Sequence, residues 1–440
     1  MEGQLGDVIR QKILDAQVAP LPASTRRDTH VPQVPGKAVA VIGMRRSGKT
    51  TLLWQLLQER VAAGMERSGL LYFSFEDERL AGMDAAGLGT VLEEYYRLHP
   101  EWRGRGDRRA TFFLDEIQAV PGWERFARRV LDTERVELFL SGSSAKLLSR
   151  EVATSMRGRA LEARVQPFSF REALRHRGNE PPKPADRLTS AGRSAAEHEL
   201  LSYLAAGGFP EAQGLETRDR LELLRGYVDV VLLRDVIERH NVTHPVALRW
   251  MTRRLLGNAA GEFSVSRFHR DLKSQGIAVA KDTLHAYLGH LEDTFVIHTV
   301  SLATGSERRR MVNPRKVYPA DPGLIPVFER AGRPNTGHAL ETCVFLELLR
   351  RDLAVGYVRT EDGCEVDFLA RDHEGNTQLI QACADAGEPA TLEREVRALE
   401  AAAAEYPDAG LHLVTLRPES VREVPAGVSL HSAAVWLLGG

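Results

Sequence analysis

Lysine disappears from the sequence after Lys316. Residues 337–440 hold 8 arginines, no lysine and 18 acidic residues, a net charge of −10. Such a stretch repels a polyanion unless its arginines gather on one face, and it has no ammonium of its own to offer to catalysis. Cysteine is nearly as scarce. Cys343, Cys364 and Cys383 show no metal-ligand spacing, and their odd number suits a reducing cytosol better than a disulfide scaffold. No apolar run approaches the roughly 20 residues of a membrane span. Residues 1–19 scatter acidic and basic side chains instead of following a charged start with an apolar centre, so a cytoplasmic location without a membrane partner is expected. Internal repeats and long low-complexity tracts are also missing, and the 440 residues are too many for one core, which points to two to four domains.

What is present is uneven. The overall charge of −2 conceals a basic middle, because residues 246–316 carry 12 Lys and Arg against 6 Asp and Glu. Residues 1–34 hold a short amphipathic helix, with Val8, Ile9, Ile13 and Leu14 at helical spacing, and then a lead-in. From 35 to 170 short apolar runs at 38–42, 70–75, 111–114 and 136–140 alternate with helical stretches such as 51–63, as a mostly parallel sheet requires. Residues 171–255 read as helical, 256–318 as a helix pair followed by a hairpin, and 319–440 as a separate acidic unit mixing helix and strand.

Gly43-Met44-Arg45-Arg46-Ser47-Gly48-Lys49-Thr50 matches G-x-x-x-x-G-K-[ST], directly after an apolar strand and directly before a helix. Gly43 and Gly48 permit a tight loop whose N–H groups converge on a phosphate, and the helix start adds partial positive charge. The nucleotide-contacting set is therefore Gly43, Arg45, Arg46, Ser47, Gly48, Lys49, Thr50 and Thr51. Lys49 reaches the β- and γ-phosphates and the Thr50 hydroxyl takes one Mg2+ position, which makes ATP and Mg2+ the expected cofactors.

The run 111–114 ends in Asp115-Glu116. Asp115 is placed to hold Mg2+ and Glu116 to orient and polarise the attacking water. The next apolar run meets Ser141-Gly142-Ser143-Ser144, where Ser143 is the candidate contact to the γ-phosphate or the water. Met156-Arg157-Gly158-Arg159 offers an arginine to the γ-phosphate, from the same chain or a neighbour, with Arg159 the first choice and Arg157 the second.

In the basic middle, Leu284, Tyr287, Leu288 and Leu291 fall at i, i+3, i+4 and i+7 and pack one helix face, leaving Lys281, Asp282, His285 and Gly289 outside. The residues that follow read as a strand, a basic turn at 305–310 and a return strand at 315–318. Helix-turn-helix plus hairpin is a winged helix. Lys281, His285, Arg308, Arg309 and Arg310 could contact DNA phosphates without reading sequence. Winged helices also serve as protein-binding modules.

The ordered motifs resemble the bacterial and archaeal AAA-like ATPases that join an ATPase core to a winged helix and a C-terminal restriction-endonuclease-like domain. The carriers are the phosphate loop, Leu114-Asp115-Glu116-Ile117-Gln118, Leu140-Ser141-Gly142-Ser143-Ser144, Gly158-Arg159, Gln166-Pro167-Phe168-Ser169-Phe170 and Gly207-Gly208-Phe209-Pro210-Glu211. The resemblance implies a PD-(D/E)xK-type nuclease shape at the C-terminus, in which a helix Glu, a strand Asp, and an acid and a Lys two residues apart hold metal and activate water. Glu341 and Asp367 match the first two, but Gln381 stands where the acid belongs and Cys383 where the Lys belongs. The expected result is the fold without the nuclease chemistry.

The fold class expected is α/β: a P-loop AAA-like ATPase core (35–170), a helical lid (171–255), a winged helix (256–318) and a C-terminal α/β restriction-endonuclease-like domain (319–440). The function expected is an Mg-ATP-dependent ATPase that remodels or translocates DNA, assembles as a homo-oligomer if Arg159 acts in trans, and offers its last domain to a protein partner. Two other readings stay open: a nucleotide-dependent signalling switch read by a protein partner, and an ATP-dependent nuclease.

Overall fold

The short apolar runs of the first third become one parallel sheet. In a computed structural model, which describes residues 2–104, 108–142, 156, 158–182, 184–329, 335–421 and 423–439, its strands are β1 (Ala38–Ile42), β2 (Leu70–Ser74), β3 (Ala110–Asp115), β4 (Val136–Ser141) and β5 (Ala160–Arg164). Their lateral order is β2-β3-β4-β1-β5, and every neighbouring pair is parallel. All of β1 and β3 is buried. A strand covered on both faces has no polar side, which is why these segments read as unbroken apolar runs rather than alternating ones. Parallel strands bring the loops at their C-terminal ends to one edge of the sheet. The segments after β1, β3 and β4 therefore meet, with β4 between the other two. The N-terminal helix is longer than its apolar spacing suggested, Glu2–Val18, because it buries Ile9 and Ile13 while Arg10 bonds Glu94 and Lys12 bonds Asp77 at 2.9 and 2.6 Å.

The chain divides into two compact units, Met1–Gln166 and Pro167–Gly440. The second begins with helices Phe170–His176, Ser190–Ala206, Thr217–Val230 and Pro245–Gly257, with a π-helical segment at Val231–Glu238. Next come β6 (Glu262–Phe263), helices Val265–Ser274 and Lys281–Asp293, β7 (Ile297–Val300) and β8 (Arg315–Pro319), with the strands in order β6-β8-β7. Residues expected to form a basic turn instead enter a short helix, Glu307–Val312. Ser306 caps it, with its hydroxyl accepting from the Arg309 N–H, and Glu307 at the start and Arg309 and Arg310 at the end complement its dipole.

Helix Thr336–Arg350 leads to β9 (Ala354–Arg359), β10 (Glu365–Arg371) and β11 (Thr377–Cys383), then helix Pro389–Glu405, β12 (Gly410–Thr415), β13 (Val428–Ser432) and helix Ala433–Leu438. The sheet order is β13-β12-β11-β10-β9, antiparallel across β9-β10-β11 and parallel across β11-β12-β13. The boundaries expected at 255 and 318 fall inside helix Pro245–Gly257 and inside β8, and one apolar cluster crosses both of them: Phe168, Tyr203, Tyr318, Phe345, Phe368 and Leu438 all belong to it. Tyr318 stacks on Phe345 with ring centroids 4.4 Å apart.

Two motifs that carry the family resemblance form one structural knot here. Ser169 caps helix Phe170–His176 in a reciprocal box with Glu172. The Phe168 N–H donates to Gly208 O at 2.7 Å, and the Gly208 N–H donates to Asp321 Oδ2 at 2.6 Å. Gly207 sits at φ 76°, and a Cβ on it would collide with the Asp321 carboxylate, while one on Gly208 would strike the Phe168 carbonyl. Only glycine fits either position.

Candidate active site

β1 feeds the phosphate loop, and the loop's shape follows from its glycines. Gly43 and Gly48 take φ 155° and 100°, and the non-glycine Arg46 takes 66°. A Cβ on Gly43 would run into the Val165 carbonyl at the end of β5. Gly48 then starts helix Lys49–Ala62, whose first turn contains no acidic residue, leaving its N–H groups and dipole available to an anion. Lys49 is buried, and its ammonium donates to the carbonyls of Gly43 and Met44 at 3.2 and 3.0 Å. The Ser47 hydroxyl is buried with no hydrogen-bond partner. An orphaned hydroxyl inside an N–H-rich loop is what a phosphate oxygen would satisfy, so the residues present fit a nucleotide. Thr50 and Thr51 are exposed at the start of the helix.

Thr50 reaches the carboxylate strand. Its hydroxyl donates to Asp115 Oδ2 at 2.9 Å. Two residues that the motif reading missed also hold Asp115: Tyr72 on β2 donates to Oδ2 at 2.8 Å, and the Ser141 hydroxyl at the end of β4 donates to Oδ1. Burial, and then Asp115, push the Tyr72 hydroxyl well above its ordinary range. Three hydroxyls hold this one buried carboxylate without neutralising it, so the residues present fit a cation. Glu116 follows in a left-handed conformation, φ 54°, with its N–H donating to Ser141 Oγ at 3.2 Å and its carboxylate accepting from Gln118. The reversed backbone turns Glu116 away from the strand direction that Asp115 keeps. Ser141 is the hydroxyl seen at this carboxylate pair; the expected Ser143 lies outside the described residues, as does Arg157. The signal for Ser141 was its position, level with Asp115 on the adjacent parallel strand.

Arg159 is at the other end of the sheet. Its carbonyl accepts from the Ala38 N–H at the start of β1, whereas the phosphate loop leaves the end of β1, about 16 Å away at strand rise. Its guanidinium pairs with Asp132. Service to the γ-phosphate of its own chain does not fit this placement. Arg159 shares a concave surface of about 390 Å³ with Arg125, Arg128 and Arg129, and the Arg128 Nε there is buried without a partner.

Arg27 was missed as well. It comes from the lead-in, is buried, and donates to Ser47 O in the phosphate loop at 2.9 Å and to Gln166 O. Lys281 and His285 share the exposed face of helix Lys281–Asp293, while Leu284, Tyr287, Leu288 and Leu291 are buried. Burial and then Lys281 lower the proton affinity of His285. Arg308, Arg309 and Arg310 are exposed on helix Glu307–Val312, with Arg310 bonded to Glu307 at 2.8 Å.

The C-terminal acidic residues have an unexpected neighbour. Lys316, on β8, places its ammonium 3.1 Å from Glu341, 2.8 Å from Glu365 and 2.8 Å from Asp367. The expectation that 319–440 works without any ammonium was drawn from linear order; the last lysine of the chain reaches the acids from the preceding strand. Burial opposes its charge, yet the three carboxylates hold its proton well above the ordinary lysine range. The visible clue was period two, since Lys316 and Tyr318 share one face of β8 and Tyr318 also bonds Glu341, at 2.8 Å. Gln381 spends its amide on Glu395 at 2.6 Å and on the Asp367 N–H at 3.1 Å. Burial pushes the Cys383 thiol up to about 11. Among the described residues no group of three or more His, Cys, Asp or Glu is arranged to hold a metal ion, and no helix is long and apolar enough to cross a membrane.

Comparison with known proteins agrees with this reading of the first unit. A family described as an AAA domain matches residues 35–174, and a family described as a domain of unknown function matches residues 197–334. An uncharacterized protein of Methanocaldococcus jannaschii is 30% identical over 432 residues, 95% of this chain and 91% of the relative. An uncharacterized protein of Haemophilus influenzae is 28% identical over 331 residues, 75% and 78% of the two chains. Among solved structures, a Walker-type ATPase of Pyrococcus abyssi is similar at TM-score 0.40 and 17% identity, covering 70% of this chain and 99% of that one. The Aeropyrum pernix Orc1 protein in complex with DNA is similar at 0.29 and 15%, covering 79% and 94%. The sheet order and the loop geometry assign the fold here, independently of these superpositions. This chain belongs to the same family as the Methanocaldococcus jannaschii protein, and its residues 35–174 match an AAA domain.

Proposed function

We propose that the protein is an Mg-ATP-dependent ATPase that works on nucleic acid, remodelling or translocating DNA. The observation that carries the ATPase part is the meeting of Lys49, Thr50, Asp115 and Glu116 at one edge of a parallel sheet. Lys49 would bind the β- and γ-phosphates together with the loop N–H groups, Thr50 and Asp115 would hold Mg2+, and Glu116 would orient the attacking water and take up its proton. The metal, when bound, neutralises charge that develops on the transferred phosphoryl group. Arg159, at the far end of the sheet among Arg125, Arg128 and Arg129, is suited to a neighbouring copy's triphosphate, and this supports a homo-oligomer.

The nucleic-acid part rests on the exposed Lys281, His285, Arg308, Arg309 and Arg310 in a basic region laid out as a winged helix, following a helical lid. The −10 region after it, shaped like a nuclease, is read as inactive and available to a protein partner. ATP turnover measured with and without single-stranded, duplex and branched DNA tests the reading. Stimulation by at least one of these is expected. Turnover indifferent to all three overturns the nucleic-acid role and leaves the nucleotide-dependent switch, which the Arg27 link between the phosphate loop and Gln166 favours.

A further inference from the structure

The nuclease-like reading implies a divalent metal held by Glu341, Asp367 and the residue at 381. The residues present do not fit that metal. The Gln381 amide is spent on Glu395 and the Asp367 backbone, Asp367 Oδ2 accepts from the Ala382 N–H at 3.1 Å, and a fixed cation already stands among the carboxylates. We infer that the Lys316 ammonium replaces the metal: it is the internal cation of a largely buried three-carboxylate site, and removing it creates a binding site for a divalent cation where the native chain has none.

The geometry carries this. An ammonium has three N–H donors, and three carboxylates from two elements, helix Thr336–Arg350 and β10, meet it at 2.8 to 3.1 Å. Its side chain is 4% exposed and those of Glu341, Asp367 and Glu365 are 13%, 10% and 34% exposed, so water does little to screen Glu341 and Asp367 from each other and reaches the cluster mainly beside Glu365. Removing the amine would leave the three carboxylates facing one another around a gap. Ca2+ binds oxygen at about 2.3 to 2.6 Å, so a modest inward movement of the three carboxylates would suffice to seat it. The cluster also bridges sheets. Arg359 of β9 bonds Glu365 at 3.0 Å and pairs with Glu262 of β6, and Lys316 itself is on β8, so the ammonium fastens the small three-stranded sheet to the C-terminal one. In a metal-dependent nuclease that fastening would come and go with the ion; here it is covalently built in.

The inference rests on the reading of this region as metal-free and nuclease-like, but not on ATP turnover or DNA binding. Calorimetric titration of the nucleotide-free full-length protein with Ca2+ tests it. Lys316→Met is expected to gain one equivalent of bound Ca2+ and a melting temperature that rises with Ca2+, and both gains should vanish in Lys316→Met/Asp367→Asn. A folded Lys316→Met that gains no site overturns the inference. The native protein serves as the second arm whether or not that variant folds. Its Ca2+ binding and its behaviour with DNA plus Mg2+ or Mn2+ should be unchanged by Asp367→Asn. A native Ca2+ equivalent, or native DNA cleavage, that Asp367→Asn abolishes would mean that a metal enters beside Lys316, and the inference fails.

Discussion

Two of the lysine-carboxylate sites among the described residues are wired in opposite ways. At the phosphate loop, Lys49 donates to the backbone carbonyls of Gly43 and Met44, and Asp115 is held by the hydroxyls of Thr50, Tyr72 and Ser141. In the second unit, Lys316 is surrounded by three carboxylates. A carboxylate held by neutral hydroxyls still attracts a cation, and a lysine held by carbonyls still attracts a phosphate. Charges paired directly with each other attract neither. The same two residue types thus make an open reactive site in one place and a closed structural one in the other, and the partner chemistry decides which.

The largest effect expected lies at the open site. Glu116→Gln should keep ATP binding and lose about 100- to 10,000-fold in turnover, the usual range for a positioned general base. Lys49→Ala should weaken binding and turnover together. Comparable hydrolysis by Glu116→Gln and the native protein would move the base to another residue and undo this half of the comparison.

At the closed site the loss should appear in stability. Lys316→Ala strands Glu341, Glu365 and Asp367, and breaking a buried ionic cluster on one side costs about 3 to 5 kcal/mol. Chemical denaturation should show this in the second unit. A loss under about 1 kcal/mol would indicate that the ammonium is far less integral than its distances suggest.

Asp321 sharpens the comparison by showing a buried carboxylate held by backbone N–H groups, those of Gly208 and Gly323 at 2.6 and 2.9 Å. Burial pushes it up to about 7, against about 3.9 in an unfolded chain. The folded state therefore binds the proton more tightly. The stabilisation is full below about pH 4 and is lost as pH rises towards 7, on the order of 3 kcal/mol across the window. Melting curves from pH 4 to 7.5 should show that slope, and Asp321→Asn should flatten it.

The smallest effect is electrostatic and exposed. Replacing Arg308, Arg309 and Arg310 by alanine should weaken DNA binding equally across sequences and lower the salt slope by roughly 0.9 per lost phosphate contact. An unchanged affinity and slope would remove these arginines from the interface.

How far the sequence could be read depended on whether a site was built from neighbours in the chain. The phosphate loop was legible because Gly43 to Thr50 are consecutive and their spacing is the chemistry, and Asp115-Glu116 was legible because an apolar run ending in two acids has few other uses. Tyr72, Ser141 and Arg27 were not, because each lies on a different segment from the group it touches and is an ordinary residue for its place. The Pro-Phe-Ser-Phe and Gly-Gly-Phe-Pro segments read as family markers, and only their meeting at Asp321 reveals that their work is structural.

By itself the sequence determined the parallel α/β core, since strands buried on both faces must be apolar throughout, and it determined the anion-binding loop, since glycine alone tolerates φ of 155° and 100° beside a close backbone. Tertiary structure alone decided which end of the sheet Arg159 occupies and which acids Lys316 meets. Strand register sets the first, and the second follows from side chains of two different sheets and helix Thr336–Arg350 packing together. Lys316 is 25 residues from Glu341 and 51 from Asp367, and local spacing carries no trace of a pairing made across that distance.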